Sequence, residues 1–438
     1  MDGRGILDAG PQQRLGILVI AENASFSEGG ESYLAVQWFR GLLKEGVDAH
    51  LLVHARSKPE LDQAFGAFSS RIHYVPEALL QTICWHLGKK LPTHVRDFTT
   101  GSAVHYITQF MQRRLARRLI AQYAIDVVHE PTPVAPRLPS MMHGLGVPVV
   151  MGPMNGNMRY PPAYRGRRSF AERAFVPVAR AFVDIANFLM PGKRRADILL
   201  VANERTRSAL PSGCTGKVRV LCENGVDPEV WRRPDDLPAR RADSMSLVFL
   251  GRLVRWKGVD LVLDAFAEIR KTIPWADLHI IGDGPERRRL QAQADRLGLS
   301  DAVTFHGWLP PEQCPRQLGQ SDILLFPSVF ECGGAAVLEA MSLGLAVVAL
   351  NWGGPSDYLA EGDGILVEPV DRRGTLAELV RAVLSLTPDK RRDLGEAAQR
   401  RIADHYTWPA KIRQIISVYR SACRQAEGAP ATEELCPQ

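Results

Sequence analysis

The chain has 438 residues, of which 45% are hydrophobic and 23% charged, with a formal net charge of +6. This is ordinary globular usage, and the length predicts two or three domains of roughly 150 residues each. No apolar stretch of about 20 residues occurs and the N-terminus lacks a basic start followed by an apolar run, so we expect neither a membrane span nor a signal peptide. Seven cysteines without a C-x-x-C spacing argue against a disulfide framework or a zinc site, and we expect a cytoplasmic protein.

The first half of the chain alternates short apolar runs with helix-forming segments. RLGILVIAE (14–22) predicts a strand that leads into a glycine-bearing loop, and residues 33–54 predict a helix, a turn and a second strand. IDVVHE (125–130) and VPVVMGP (147–153) repeat the buried-strand pattern with helical material between them. Such alternation is typical of a parallel sheet.

The second half restarts this alternation after a polar segment rich in Pro, Asp and Arg (227–244), which we interpret as the interdomain linker. MSLVFLGRL, ADLHIIGDG, AVTFHGW, DILLFPS, AVVAL and GILVE supply further strands. The predicted fold class is α/β, with two doubly wound Rossmann-like domains that face each other across a cleft.

We place the first domain at 14–222 and the second at 223–407. The last predicted helix (408–426) follows a completed sheet, and residues 1–13 and 427–438 are predicted to be flexible tails.

The segment FECGGAAVLEAMSLG combines two acids with a glycine pair and a run of helix formers. The pattern predicts a helix that begins near Gly334. Its first turn has unpaired N–H groups and the positive end of the helix dipole, and glycine allows close approach of a ligand, so Gly333, Gly334 and Ala335 form a predicted anion site. Glu331 in the preceding loop and Glu339 one turn into the helix would face that ligand.

Two further segments place glycines and cations at the carboxyl ends of strands. GRLVRWKG offers Arg252 and Lys257, a pair suited to a diphosphate, although a basic loop in solvent has the same composition. IGDGPERRRL contains Gly282 in a tight strand-to-helix turn, but Arg287 occupies the third glycine position of a dinucleotide fingerprint, which weakens a dehydrogenase interpretation.

The first domain contributes candidates from three loops. Gly29 and Gly30 precede a helix and allow approach to an anion across the cleft. His129, at the predicted cleft edge, would act as a base or simply hold its loop. Asn155 and Arg159 in GPMNGNMRYPP suit acceptor or sugar contacts.

Three basic runs, at 112–118, 164–173 and 191–195, carry much of the positive charge. Basic residues interleaved with apolar ones dock on anionic lipid or phosphorylated acceptors, and they are equally typical of solvated helix faces.

Taken in order, these motifs resemble the family-4 retaining glycosyltransferases of the GT-B fold. The resemblance rests on Glu331 and Glu339 around CGGAAVL, on GRL followed by KG at 251–258, and on NGVD at 224–227. It implies a metal-independent hexosyltransferase that moves a sugar from a UDP- or GDP-linked donor with retention of anomeric configuration, with no cofactor. It also implies that the last helix (408–426) packs back on the first domain.

The resemblance also implies roles for single residues. Arg252 and Lys257 would hold the diphosphate, Glu339 the ribose hydroxyls, and Glu331 the donor sugar. Gly333, Gly334 and Ala335 would bind the leaving phosphate through their amides; the glycines that complete the donor site would be Gly29, Gly30 and Gly282.

The acceptor side is similar to a branch that acts in bacterial surface polysaccharide assembly. This implies a glycan or polyprenyl-diphosphate-linked acceptor, peripheral contact with the inner face of an anionic membrane, and no nucleic acid partner. The chain departs from many relatives at Met154 and Asn155, where they carry a histidine, and His129 is only a loose substitute.

Two alternatives stay open at this stage. A nucleotide-sugar epimerase of the same architecture would need a paired acid and base in the cleft. A catalytically silent nucleotide-sugar-binding protein would keep the site without transfer.

Overall fold

The computed structural model describes residues 14–26, 30–89, 96–167, 183–238 and 244–426. Two parallel sheets organise these residues. The first sheet has seven strands, β1 Gly16–Ile20, β2 Asp48–His54, β3 Ile72–Val75, β4 Val127–Glu130, β5 Val149–Met154, β6 Ile198–Val201 and β7 Lys217–Val220. The second has six, β8 Ser246–Leu250, β9 Asp277–Ile281, β10 Val303–Gly307, β11 Ile323–Phe326, β12 Ala346–Leu350 and β13 Ile365–Val367.

The strand orders are β3-β2-β1-β4-β5-β6-β7 and β10-β9-β8-β11-β12-β13, with parallel pairing throughout. In each sheet the order reverses beside the first strand, which is the point where doubly wound sheets open a ligand crevice. The predicted fold class of two Rossmann-like α/β domains is therefore confirmed.

Helices cover both faces of each sheet. In the first half they are α1 Gly30–Lys44, α2 Lys58–Ala64, α3 Leu79–Gly88, α4 Ser102–Tyr123, α5 Gly192–Arg195 and α6 Glu204–Arg207. In the second half they are α7 Val259–Thr272, α8 Arg287–Arg296, α9 Cys314–Leu318, α10 Ala335–Ser342, α11 Gly354–Tyr358, α12 Arg372–Leu384, α13 Pro388–Arg401 and α14 Trp408–Ala426.

The last helix, α14, packs on the first sheet rather than the second. Its buried Ile412, Ile415 and Tyr419 join Trp38 and Phe39 of α1 in one hydrophobic cluster. An amphipathic helix of this kind is stabilised by burying its apolar face, so α14 completes the core of the domain that begins the chain.

The chain passes between the domains twice, and the two passages lie side by side. Val226 on the outward passage donates its N–H to the Tyr406 carbonyl at 2.7 Å and accepts from Trp408 N–H at 2.9 Å. The start of the predicted linker is fixed further by an ion pair between Asp227 and Arg40 of α1. Residues 239–243 of that linker, the tails and part of the 164–173 basic run lie outside the described residues.

No helix in the described ranges is both long enough and apolar enough to cross a lipid bilayer.

Candidate active site between the domains

A cavity of about 750 Å³ lies where the two domains meet. The first domain contributes residues from the loop after β1 and from α1, the interdomain passage contributes Glu223, Asn224 and Asp227, and the second domain contributes the start of α10. Six of the predicted site residues line it: Gly30, Glu331, Gly333, Gly334, Ala335 and Glu339. The fold therefore brings the acid and glycine motif of the second domain to face the first.

The glycine pair shapes the base of this cleft. Gly334 caps α10 with φ of +79°, a left-handed conformation that favours glycine. A Cβ on Gly333 would lie 2.2 Å from Asn224 Nδ2 and 2.4 Å from Glu223 Oε1. A side chain at this position would therefore displace the segment that joins the two domains. The predicted start of the helix at Gly334 is confirmed.

Lys257 and Glu331 form an ion pair at the edge of the cavity. The ammonium also lies 5.1 Å from the centre of the Phe326 ring, and Ser328 Oγ is 3.4 Å from Glu331 Oε2. Both charged side chains are largely buried, so each depends on the other for neutralisation.

Glu339 faces the same cavity from one turn inside α10. Burial raises the pKa of its carboxyl to about 7, against the opposing attraction of Lys257. The carboxyl thus changes charge close to neutral pH, which is the behaviour expected of a group held in a dry site until a ligand supplies donors.

The other two donor candidates on the second domain, Arg252 and Gly282, are not among the residues that line the cavity. Arg252 is exposed, and its guanidinium makes no hydrogen bond or ion pair within the part of the chain that the structure describes. Gly282 packs against the backbone of the neighbouring strand end, where a Cβ would lie 2.0 Å from the Gly251 carbonyl oxygen. Close packing of the backbone therefore explains why glycine occupies position 282. Gly29 lies outside the described residues, next to Gly30 at the start of α1.

His129 does not lie at the cleft edge, and this part of the prediction is wrong. Its side chain is completely buried, with Nε2 2.6 Å from the Gly152 carbonyl oxygen and Nδ1 2.7 Å from Tyr419 Oη. Burial lowers its pKa to about 4. Both ring nitrogens are occupied in holding β4, β5 and α14 together, so the histidine has a structural role.

Asn155 also has a different position from the one expected of an acceptor contact. It is buried and donates through Nδ2 to Glu223 Oε1 at 2.8 Å and to the Cys332 carbonyl at 3.0 Å. It therefore ties the first domain to the glycine motif of the second. Arg159 is exposed, and its carbonyl accepts from Trp352 Nε1 at 2.7 Å, which is another contact between domains.

A second polar contact between domains centres on Asp357 of α11. It accepts from Asn203 Nδ2 at 2.7 Å and from Arg205 Nη2 at 3.1 Å. These residues belong to the first domain, so charge-assisted hydrogen bonds help to set how the two walls of the cleft face each other.

The sequence reasoning missed a buried cluster behind the cleft. Glu223 is hydrogen-bonded to Asn155 and Asn224, and burial raises its pKa. Lys411 of α14 is buried nearby, donates to the Cys222 carbonyl and lies 5.6 Å from the Trp38 ring centre. The only signal in the sequence was Lys411, a charged residue on the apolar face of the last helix. Its position in the sequence gives no indication that it lies near Glu223.

A smaller cavity of about 300 Å³ opens in the first domain beside the cleft, and Glu31 lines both cavities. Its wall includes Glu22 and His105, whose Oε2 and Nδ1 are 2.7 Å apart. Burial opposes ionisation of Glu22, but the hydrogen bond and charge of His105, together with the charges of Arg56 and His54, outweigh it and leave the pKa of Glu22 lowered. Among the residues that the structure describes, His105 Nε2 and Asn23 Oδ1 are buried and have no hydrogen-bond partner.

Buried polar side-chain atoms in native proteins are normally hydrogen-bonded, so a polar group that enters this cavity can pair with both atoms. The lining combines the apolar Pro133, Ala135 and Leu138 with carboxylate, amide, imidazole and hydroxyl groups, and these polar groups suit the hydroxyl groups of a sugar. Among the residues described, no cluster of three or more His, Cys, Asp or Glu side chains is arranged to hold a metal ion.

Comparison with known proteins gives a family match for the second domain. Residues 238–401 match the family model described as Glycosyl transferases group 1. This range contains the strand-end cations, the acid and glycine motif and α10.

Two curated relatives extend the comparison. The D-inositol 3-phosphate glycosyltransferase of Segniliparus rotundus is 31% identical over 217 residues, 47% of this chain and 47% of that protein. The GDP-mannose-dependent alpha-(1-6)-phosphatidylinositol monomannoside mannosyltransferase of Mycolicibacterium smegmatis is 30% identical over 252 residues, 53% of this chain and 64% of that protein. In both cases this chain matches less than two thirds of the relative's length.

The fold extends further than the sequence similarity. The Anabaena protein Alr3699/HepE, solved in complex with UDP, superposes with a TM-score of 0.61 at 17% identity, covering 93% of this chain and 100% of that one. At this identity the match concerns the fold of both domains.

Proposed function

We propose that this chain, whose residues 238–401 match the model described as Glycosyl transferases group 1, moves a sugar from a nucleotide diphosphate sugar to a hydroxyl-bearing acceptor, with retention of anomeric configuration. The observation that carries the proposal is the shared cavity of about 750 Å³, which is lined by Glu331, Glu339 and the α10 glycines from one domain and by Gly30 from the other.

The donor binds on the second domain. Its diphosphate lies across the N-terminus of α10, where first-turn N–H groups and the helix dipole favour negative charge. Lys257 supplies the nearest buried cation and exchanges its contact with Glu331 for the phosphates. Arg252, exposed and without a partner among the described residues, closes over the outer phosphate. Glu339 accepts from the ribose hydroxyls once it ionises.

Glu331 contacts the donor sugar beside the reacting carbon. When the bond to the leaving phosphate breaks, the α10 amides and Lys257 stabilise the developing phosphate charge, and that phosphate takes the proton of the incoming hydroxyl on the same face. Such a reaction asks the protein mainly for positioning and for compensation of charge. The residues named here supply both, and we propose a metal-independent reaction.

The acceptor enters from the first domain through the smaller cavity. Glu31 is common to both cavities, so a sugar held there directs a hydroxyl towards the donor. His105 Nε2 and Asn23 Oδ1, which have no partner among the described residues, bind acceptor hydroxyls. The hydroxyl groups of a glycan or a lipid-linked sugar, as in polysaccharide assembly in the cytoplasm, would form hydrogen bonds with the polar groups of this cavity. The mannosyltransferase relative is named for a phosphatidylinositol monomannoside acceptor, which supports a lipid-linked substrate.

The epimerase alternative is not favoured. It needs an acid and a base on opposite faces of the sugar, and the histidine nominated from the sequence is buried with both nitrogens occupied. A silent binding protein would share the donor site, so product analysis has to separate it from a transferase.

The test begins with thermal unfolding in the presence of UDP, GDP, ADP and their common sugar conjugates. A ligand at a hundred times its Kd adds about 2.7 kcal/mol to the free energy of unfolding. We expect one base to stabilise the protein, and the matching donor to give a new glycoside whose anomeric configuration, read by NMR, equals that of the donor. An inverted product contradicts the retaining mechanism, an epimerised donor contradicts transfer, and binding without any product supports the silent protein.

A further inference from the structure

We propose that the smaller cavity of the first domain binds an acceptor sugar that carries a protonated amino group. Three features of the cavity support this: the charge of its lining, a buried imidazole nitrogen without a partner among the described residues, and the position of Glu31 between the two cavities. The role of the sugar as acceptor rests on the proposed function, whereas its binding in this cavity does not.

The lining of the smaller cavity has carboxylates but no cation of its own. Glu22 and Glu31 both line it, and no lysine or arginine does so within the part of the chain that the structure describes. Burial raises the pKa of Glu31, and the negative charge of Glu22 raises it further. The two carboxyls are therefore close enough to repel each other, and a cation that enters the cavity would relieve this repulsion.

Two cations of the first domain act on these carboxyls from outside the lining. Arg56 Nη2 lies 3.7 Å from Glu22 Oε1. Lys193 is buried, and its charge is shared between Glu130 and Glu31. The pKa of Glu31 stays raised although Lys193 opposes the rise, so the protein itself does not fully compensate the charge of this carboxyl.

The unpartnered buried atoms of the lining add hydrogen-bond acceptors. A carboxylate only accepts, so the 2.7 Å contact with Glu22 Oε2 makes His105 Nδ1 the donor, and Nε2 of the neutral imidazole is then an acceptor. His105 is only 8% exposed. Asn23 Oδ1, which like His105 Nε2 has no partner among the described residues, is also an acceptor. An ammonium group brings three donors and no acceptor, so an amino sugar offers this lining more donors than its hydroxyl or N-acetyl counterpart.

The position of Glu31 orients the bound sugar. Glu31 lies in the first turn of α1 and lines both cavities. An amino group held by this carboxylate lies at the junction of the cavities, and a neighbouring hydroxyl of the same ring faces the donor. Pro133, Ala135 and Leu138 supply apolar surface for the ring itself.

The experiment compares sets of three methyl glycosides that share one ring and differ at one position, which carries a free amine, an N-acetyl group or a hydroxyl. The sets place this position at the second, third or fourth carbon of glucose and of galactose. Each compound is titrated into the full chain without nucleotide, and its affinity is measured by saturation-transfer NMR. We expect at least one amine to bind at least about tenfold more tightly than both of its counterparts, because a charge-assisted hydrogen bond is lost in each of them.

Two variants test whether the preference comes from this cavity. Glu31→Gln keeps the size of the side chain but removes its charge, and it should abolish the preference for the amine. Ser102→Lys adds an ammonium to the lining and should weaken binding of the amine relative to the N-acetylated sugar. Glu45→Gln, at an exposed acid just beyond the other end of α1, is the matched control and should keep the preference. Thermal unfolding without ligand shows that each variant is folded.

Either of two results overturns the proposal. The first is a wild type for which no amine binds more tightly than its N-acetyl and hydroxyl counterparts, including the case in which no compound binds. The second is a Glu31→Gln variant that keeps the preference, which would place the amine elsewhere; if that variant does not fold, Ser102→Lys decides in the same way. Failure of the proposed function would look different, because the amine preference would still depend on Glu31 while no nucleotide stabilised the protein and no glycoside formed.

Discussion

The ammonium of Lys257 and the carboxylate of Glu331 neutralise each other at the rim of the cleft, although they come from different loops of the second domain. In the proposed donor site, a nucleotide diphosphate would compete with Glu331 for Lys257. The pair therefore couples the phosphate end of the proposed donor site to its sugar end, and the two residues should respond in opposite ways when either is replaced.

Replacing the cation should weaken donor binding. Lys257→Ala removes a charge-assisted contact and leaves Glu331 buried without its partner, so we expect nucleoside diphosphate affinity to fall by about 1.5–3 kcal/mol in a calorimetric titration. Arg255→Ala, on the same loop but exposed, is the matched control and should change affinity little. Equal affinity in wild type and Lys257→Ala would remove the lysine from the phosphate site.

Replacing the acid should abolish transfer and spare nucleotide binding. Glu331→Ala removes the group proposed to contact the donor sugar, yet it frees Lys257 for the phosphates, so the affinity for the nucleoside diphosphate should be unchanged or higher. Glu331→Gln keeps the shape of the side chain, and it should likewise lose transfer while retaining affinity for the nucleoside diphosphate. Normal turnover in either variant contradicts the assigned role.

The carboxyl of Glu339 predicts a pH dependence. Because its folded pKa is raised from 4.5 to about 7, the native state holds a proton that the unfolded chain has lost, and this contribution to stability declines as pH rises from about 4.5 to about 7. Nucleotide affinity should change in the opposite direction, because the ionised carboxylate is the form that accepts hydrogen bonds from the ribose hydroxyls. We therefore expect tighter nucleotide binding at about pH 8 than at about pH 6.

Glu339→Gln is the control for this prediction. It should bind the nucleotide about tenfold more weakly at the higher pH and should lose the part of the pH dependence that belongs to this residue, leaving only the titration of the nucleotide itself. A pH profile that is identical in the variant and the wild type would show that ionisation of Glu339 plays no part.

His129 should prove structural. His129→Ala leaves a cavity and deprives Tyr419 Oη of its partner, so we expect the free energy of unfolding to fall by about 2–4 kcal/mol. The turnover number at a temperature where the variant is folded should be close to that of the wild type. A large loss of turnover in a stably folded variant would indicate that His129 takes part in the reaction.

The same residue predicts acid sensitivity. Its folded pKa is lowered from 6.5 to about 4, so its contribution to stability is present above about pH 6.5 and is lost as pH falls towards 4. The slope of stability against pH in this interval should become shallower in His129→Ala, measured by denaturant unfolding.

The sequence was sufficient where the pattern is local. Buried strand runs alternating with helices predicted two parallel sheets, and the helix formers after Gly334 predicted the start of α10. Both features depend on residues close together in the chain, where periodicity and glycine carry direct physical information.

It was insufficient where a distant segment decides the environment. His129 follows a strand and looked like an edge residue, but Tyr419, 290 residues later, covers it. Asn155 looked like a sugar ligand, but Glu223 and the Cys332 carbonyl take its amide. No spacing in the sequence predicts which side chains a returning helix or a second domain will cover, because that depends on packing between segments.

The return of α14 to the first domain has a consequence for the design of chimeric proteins. Trp408, Ile412 and Tyr419 belong to the hydrophobic core formed by α1 and the first sheet. The two halves of the chain therefore cannot be exchanged as independent units. A chimera that takes its second domain from a relative has to keep residues 408–426 from the parent of its first domain. A graft that also replaced residues 408–426 would change part of the hydrophobic core of the first domain together with the second domain.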